Sequence, residues 1–249
     1  MTTIMPTMGS TPPRPLLFEL YNSRALQCSQ PHDLIYALLH VSANTTDIPI
    51  DYAIPVEELY FAVAAQMAKH SVLMLQALLA CATVLSSSAV PSWVPDWRTG
   101  FDEKSLDSAI PIGALCRRIA AYEKSGKMSI EPSVKVDGQT LLMQGSILQP
   151  CFHPAHTWSE GCDTCRLITP SWENVWLQGL DLASMAAKNQ VLFVITDHED
   201  FSIAYVLTRT EQVTSSQRWP AYQLGGLCLQ MPFKKCKAEL PTLSTIQLI

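Results

Sequence analysis

The segment Pro91–Trp97, PSWVPDW, constrains the fold of this chain more than any other short stretch. Its two prolines fix φ, remove two backbone donors and favour extended conformations at the residues before them. Trp93 and Trp97 each carry a large apolar ring with one N–H that needs an acceptor when buried, and Asp96 can accept such an N–H or a neighbouring backbone amide. We predict an extended segment, the Trp strap, that two buried indoles hold against the core. An exposed aromatic platform for a ligand is the disfavoured alternative, because Trp is more often buried.

The residues before the strap have helical periodicity, and residues 16–100 are predicted to be a helical region that ends in the strap. The clearest helix begins at Pro55 and carries Glu57 and Glu58 in its first turn, where they complement the macrodipole. The run from Val72 to Leu85 is apolar on most sides, which predicts a buried helix. It is about fourteen residues long, whereas a helix that spans a bilayer needs about 20.

Residues 101–249 are predicted to be a mixed, β-rich region. Residues 98–126 show little periodicity and are expected to be irregular, whereas the spacing of apolar residues over 171–187 predicts one helix. Gly225 and Gly226 indicate a bulge or a close approach of two strands. Alternation and turn residues predict hairpins over 134–148 and 191–207 and single strands over 221–231 and 244–249.

The predicted fold class is therefore α+β, an N-terminal α-helical region followed by a mainly antiparallel β region with one helix. Residues 1–15 have no apolar stretch typical of a secretory signal and are predicted to be a disordered leader. Eight cysteines without such a signal indicate free thiols and a cytoplasmic protein. The formal net charge is −5 and no run of Lys or Arg exceeds two residues, so no nucleic-acid partner is expected.

The polar segment 151–165, CFHPAHTWSEGCDTC, is the candidate for a metal site. Cys162 and Cys165 have the spacing of a zinc knuckle, and His153 and His156 could supply the two remaining ligands. However, only five residues separate the His pair from the Cys pair, which is shorter than structural zinc modules usually have. We expect a polar loop without metal, and the alternative is a zinc-binding module or an enzyme centred on this segment.

Motifs of the common enzyme classes do not occur in the sequence. It has no G-x-S-x-G elbow, no phosphate-binding glycine loop and no H-E-x-x-H. Four carboxylates are interpreted as helix-capping or dipole-complementing groups rather than as acid–base catalysts: Asp33, Asp51, Glu57 and Glu58. We therefore expect no catalytic residue, no cofactor-binding residue, no metal ligand and no cofactor.

Three segments resemble the fungal heterokaryon-incompatibility (HET) proteins, in that family's order and spacing. The segment 31–42, PHDLIYALLHVS, is similar to the family's Pro-Arg-Asp-Lys-(Ile/Val)-Tyr-Ala-Leu-Leu-Gly block. The segment 48–67, IPIDYAIPVEELYFAVAAQM, resembles its Asp-Tyr-x-x-(Ser/Pro)-Val-Glu-Glu-(Leu/Val)-Tyr block. The segment 90–97, VPSWVPDW, follows at the family's usual distance. The resemblance covers residues 16–150 well and the remainder loosely.

The sequence departs from this family at several points. His32 stands where the family usually has Arg, and His40 where it usually has Gly. The family's effector domain, the HET domain, lies upstream of the three segments and carries an Ala-Leu-Ser-Tyr-x-Trp-Gly signature, which does not occur in this sequence. The resemblance thus implies the region downstream of a missing HET domain. It also implies a setting of allorecognition and programmed cell death in a filamentous fungus, without the effector activity.

These observations favour a non-catalytic scaffold or interaction region over an enzyme. The expected partners are other HET-family proteins or a second copy of the chain, and neither a nucleic acid nor a membrane is expected. The rings of Tyr36 and Tyr60 are predicted to be buried with their hydroxyl groups hydrogen-bonded. The residues expected to carry the scaffold are Asp33, Tyr36, Asp51, Tyr52, Tyr60, Pro91, Trp93, Pro95, Asp96 and Trp97.

Overall fold

We describe the fold from a computed structural model. The structure describes residues 14–23, 26, 28–43, 48–99, 112–125, 132–148, 164–169, 172–178, 188–196, 201–210, 219–232 and 243–249. Most of the predicted leader, residues 1–13, lies outside these ranges. The last two residues of that leader, Arg14 and Pro15, pair in parallel with Ser42 and Ala43.

Helices dominate the first part of the chain, as the periodicity predicts. The helix expected to open at Pro55 begins at the next residue, because Pro55 has extended rather than helical dihedral angles. Ser71 separates this helix from the next one. It caps the N-terminus of that next helix, since its hydroxyl accepts the amide N–H of Met74 at 3.1 Å. The helices are α1 (Leu16–Asn22), α2 (Asp33–Leu39), α3 (Val56–His70), α4 (Val72–Val84) and α5 (Ile112–Lys124), with a 3₁₀ turn at Trp97–Thr99.

The second part of the chain is a mainly antiparallel sheet that closes on itself. Strands β4, β7, β8 and β9 pair in that order, β10 pairs with β9 in parallel, and β10 returns to β4 in antiparallel pairing. Strand β3 forms a hairpin with β4, and β5 and β6 form a separate hairpin. The strands are β1 (Arg14–Pro15), β2 (Ser42–Ala43), β3 (Val134–Asp137), β4 (Thr140–Leu148), β5 (Thr164–Thr169), β6 (Trp172–Gln178), β7 (Gln190–Thr196), β8 (Phe201–Arg209), β9 (Ala221–Pro232) and β10 (Ser244–Leu248).

This architecture confirms the α+β fold class and both predicted hairpins, but it corrects two predictions. The helix predicted over 171–187 is a strand over its described part, Trp172–Gln178, which pairs with β5. A short run of apolar and aromatic residues fits either period, and pairing with a neighbouring strand decides between them. The stretch 98–126, expected to be irregular, contains α5, which buries Leu115, Cys116 and Ile119 on one face.

Helix α4 joins the helical part to the barrel. Its side chains are buried on every side, including the polar side chain of Gln76. The amide nitrogen Nε2 of Gln76 donates to the carbonyl of Ile195 at 2.9 Å, and the hydroxyl of Tyr205 donates to the carbonyl of Gln76 at 2.7 Å. A buried polar group is costly without partners. These bonds therefore fix α4 against β7 and β8 at one relative position, within a hydrophobic core shared by helices and strands.

Two glycines permit close packing within the barrel. Gly226 pairs with Val206 between two irregular steps in the pairing of β8 with β9, and Gly225 is the unpaired residue of the second step, so the predicted bulge is confirmed. Gly145 lies in β4 beside the ring of Phe193, and a Cβ atom at Gly145 would come 2.3 Å from Cζ of that ring and 2.7 Å from the backbone oxygen of Val194. A methyl group cannot fit there unless the ring or the strand moves.

We expect Gly145→Ala to destabilise the protein by about 1–3 kcal/mol, because the added Cβ overlaps the Phe193 ring. Urea unfolding of this variant, of Phe193→Leu and of the double variant measures the coupling. The smaller side chain removes the clash with the ring but not the one with the Val194 oxygen, so Gly145→Ala should cost less, though still something, in the Phe193→Leu background. An equal cost in both backgrounds would refute this packing.

Candidate functional site

The Trp strap lies between α3 and the barrel, and Trp93 contacts both. The Trp93 side chain is buried, and its ring meets the ring of Phe61 edge to face, with centroids 5.5 Å apart. Its N–H donates to the carbonyl of Gln139, in the β3–β4 turn, at 3.0 Å. The predicted burial of this indole is therefore confirmed, and its exposure as a ligand platform is excluded.

Ser92 links the same strap to two further strands of the barrel. Its backbone N–H donates to the carbonyl of Ile249 at 3.1 Å, and its hydroxyl donates to the same oxygen. The backbone N–H of Leu224 in β9 donates to the hydroxyl oxygen of Ser92 at 3.0 Å. No sequence pattern indicates this role, because the partners of Ser92 are more than 130 residues away along the chain.

Trp97 and Tyr60 form the second aromatic contact of the strap. Both side chains are buried, and their rings are perpendicular with centroids 5.0 Å apart. The hydroxyl of Tyr60 donates to the carbonyl of Pro31 at 3.1 Å, as predicted for a buried tyrosine. Burial also raises the pKa of Tyr60 well above its ordinary value, so this hydroxyl stays protonated.

Asp96 is a buried carboxylate whose acceptor positions are occupied by nearby donors. Its side chain accepts Nε and Nη2 of Arg98, each at 2.8 Å, and the hydroxyl of Ser87 at 2.7 Å. It also accepts the backbone N–H of Arg98 at 3.1 Å, one of the two roles predicted for it. Arg98 extends the network to α3, because its Nη1 lies 2.6 Å from Oε1 of Glu57.

Charge and hydrogen bonding keep both carboxylates of this network ionised. Burial opposes ionisation of Asp96, yet the hydrogen bonds from Arg98 and Ser87 prevail and lower the pKa of Asp96 below its ordinary value. The backbone amide of Glu57 and the Arg98 guanidinium lower the pKa of Glu57 as well. The arrangement is an Arg98 side chain held between two carboxylates, which stabilises the strap rather than preparing a proton transfer.

Two tyrosines bind the loop before α3 to α2. The buried hydroxyl of Tyr36 donates to the carbonyl of Asp51 at 2.8 Å and accepts the N–H of Asp51 at 3.1 Å. The exposed hydroxyl of Tyr52 donates to Oδ1 of Asp33 at 2.5 Å. The two rings meet edge to face with centroids 5.1 Å apart. The predicted burial and bonding of Tyr36 are therefore confirmed, whereas Tyr52 lies at the surface.

The two aspartates of these segments were predicted to cap helices or to complement helix dipoles, and only the second role is confirmed, for Asp33. Asp33 lies in the first turn of α2, but no side chain caps that helix. Asp51 accepts the N–H of Ala53 at 2.8 Å and thereby closes a turn. His32 adds a bond to the same loop, because its Nε2 donates to the carbonyl of Ile54 at 2.8 Å. Each of these groups stabilises the loop over 48–54.

The candidate zinc ligands His153, His156 and Cys162 lie outside the described residues, and Cys165 is in β5. Within the described ranges, no three His, Cys, Asp or Glu residues come together in a way that could hold a metal ion. Burial raises the pKa of the Cys81 and Cys116 thiols, Cys116 to about 12, so these two remain protonated.

The structure brings the three family-like segments together, and it adds residues that the sequence did not single out. Tyr60 of the second segment bonds to Pro31 of the first and packs on Trp97 of the third. One of them is Arg98, which directly follows the strap. A cation two residues after Asp96 could have predicted this ion pair. The arrangement is one packed cluster of aromatic rings, and most of its polar groups bond within the chain. The buried Nε1 of Trp97 and Nδ1 of His32 are exceptions, since neither has a hydrogen-bond partner among the described residues.

Comparisons with protein-family models, with curated proteins and with solved structures found no match to this chain. Among the helices of the described ranges, none combines the length and the apolar character needed to cross a membrane.

The paired carboxylates predict how stability depends on pH. Because the pKa values of Asp96 and Glu57 are lowered by folding, their stabilising contribution is complete above their ordinary values and is lost as the pH falls through the lowered ones. At pH 7 we expect Asp96→Asn to lower the free energy of unfolding by about 1.5–3 kcal/mol, because its charge-assisted hydrogen bonds are lost. The difference from wild type should shrink between pH 6 and pH 3 in urea unfolding.

The matched control is Asp137→Asn, which changes an exposed carboxylate 3.8 Å from Lys135. Its stability should follow that of the wild type across the same pH range, because surface pairs contribute little. A constant gap between wild type and Asp96→Asn from pH 6 to pH 3 would contradict the assignment.

Proposed function

We propose that this chain is a non-catalytic scaffold or interaction region of a HET-like protein, linked to fungal allorecognition and programmed cell death. The observation that carries the proposal is that the three family-like segments pack against one another inside the fold. The polar groups of Tyr36, Tyr60 and Asp96 are all bonded to other parts of the chain. Residues with these roles position a structure, whereas a catalytic group must reach a substrate.

The geometry at the strap supports a scaffold in a second way. Catalysis needs a nucleophile with a base, or an acid–base pair with separated pKa values, facing a cleft. Here the pKa values of Asp96 and Glu57 are both lowered and both carboxylates bond to Arg98. The three ions thus pair with one another within the fold, which favours a mechanical role for them.

We propose other HET-family proteins or a second copy of the chain as partners. Part of the second family-like segment is available for contact, because Ile50 and Tyr52 are each 53% exposed. The Tyr36 bonds to Asp51 hold the backbone between these two side chains, so they present a defined surface. Ordered apolar and aromatic side chains of this kind are enriched in protein interfaces.

Expression in a filamentous fungus tests this proposal. Residues 1–249 should not arrest growth in a strain that lacks all intact HET relatives, because a scaffold has no lethal activity of its own. In a strain that retains such relatives, the chain should change the incompatibility reaction by competing for partners. The measurement is colony growth and cell viability after induction in both strains.

Two variants sharpen this experiment. Trp93→Ala removes a buried ring and should abolish the effect on relatives, whereas Leu243→Ala changes a side chain that is 66% exposed and should preserve it. Growth arrest by the wild-type chain in the strain without relatives would overturn the non-catalytic assignment.

A further inference from the structure

A partly enclosed pocket lies away from the Trp strap, where α3, α4 and the first described residues meet. Its volume is about 170 Å³. Its lining includes Pro15 and Leu16 and, from the helices, Val63 and Met67 of α3 and Met74 of the first turn of α4. An engineered cavity of about 150 Å³ binds benzene, so this pocket has room for a small ring or a short chain.

A cation lies at this otherwise mainly apolar pocket. Lys69 lines it from the last turn of α3, beside Gln66 and His70, and none of the described residues that line it is Asp or Glu. Lys69 is exposed and forms no ion pair with any residue in the described ranges. Its positive charge is notable because the chain as a whole carries a net charge of −5. An apolar wall beside an ammonium group that pairs with no carboxylate of the described residues is complementary to a molecule with an apolar body and one negative charge.

We propose that this pocket binds small organic carboxylates. The apolar body of the ligand lies against Met67 and Met74, and its carboxylate pairs with the ammonium group of Lys69. Sites for drug-sized ligands occupy about 300–1,000 Å³, so this pocket selects much smaller molecules, such as aromatic or short aliphatic acids. The proposal goes beyond the scaffold function and is independent of it, because none of the strap residues lines the pocket.

Benzoate and its neutral isostere benzamide are suitable probes, since they differ in charge but hardly in shape. The full chain, labelled with ¹³C at its methionine methyl groups, is titrated with each compound by NMR. Both probes should shift the methyl resonances of Met67 and Met74, which are assigned by single Met→Leu substitutions. Such a small ligand should bind with a Kd on the order of 1 mM. Benzoate should bind about two- to fivefold more tightly than benzamide, as expected for one exposed ion pair.

Three variants separate the charge from the apolar wall. Lys69→Gln should remove the preference for benzoate but retain benzamide binding. Lys188→Gln, which changes an exposed lysine that does not line the pocket, should leave both unchanged. Ala43→Phe fills the pocket from its edge and should abolish binding of both, with folding checked by circular dichroism. Equal affinity of the wild type for both probes, an unchanged preference in Lys69→Gln, or no shift of Met67 and Met74 would overturn the proposal.

Discussion

The indole of Trp93 lies where the helices meet the barrel, and the relative placement of the two parts depends on it. The indole ring packs edge to face on the Phe61 ring of α3. Its N–H donates to the carbonyl of Gln139, in the β3–β4 turn, at 3.0 Å. A buried tryptophan contributes apolar area and one directional bond together. Ser92, the residue before it, holds β9 and the end of β10 in the same way, so the strap fixes three parts of the barrel.

The buried polar bonds of this molecule determine position more than they add net stability. Gln76 on α4 bonds to β7 and accepts a bond from Tyr205 on β8, and Asp96 of the strap bonds to Arg98, which directly follows the strap. Each bond adds only about 0.5–1.5 kcal/mol net when made, but a buried group left without a partner costs more. An alternative packing of helices on the barrel would leave such groups unpaired. The observed packing is therefore strongly preferred.

Local sequence patterns predicted the elements of this fold better than the contacts between them. The helix α3 and the β7–β8 hairpin follow from periodicity and turn residues that lie within the elements themselves. The strand Trp172–Gln178 was predicted as a helix, because its apolar spacing fits both periods and its partner strand decides the outcome. At the strap, burial of the indoles was predictable from composition. The roles of Ser92 and Gln139 depend on tertiary structure and were not predictable.

The central claim is that the strap couples helices and barrel into one cooperative unit. Native-state hydrogen exchange tests it directly, by comparing amide groups of α4 with those of β8 in wild type and in Trp93→Ala. In the wild type, we expect both sets of amides to open with the same free energy. In the variant, this opening free energy should fall by about 3–5 kcal/mol for both sets, because a buried ring is removed. Leu243→Ala should change neither set. Loss of protection in α4 alone, with β8 unchanged, would contradict the account.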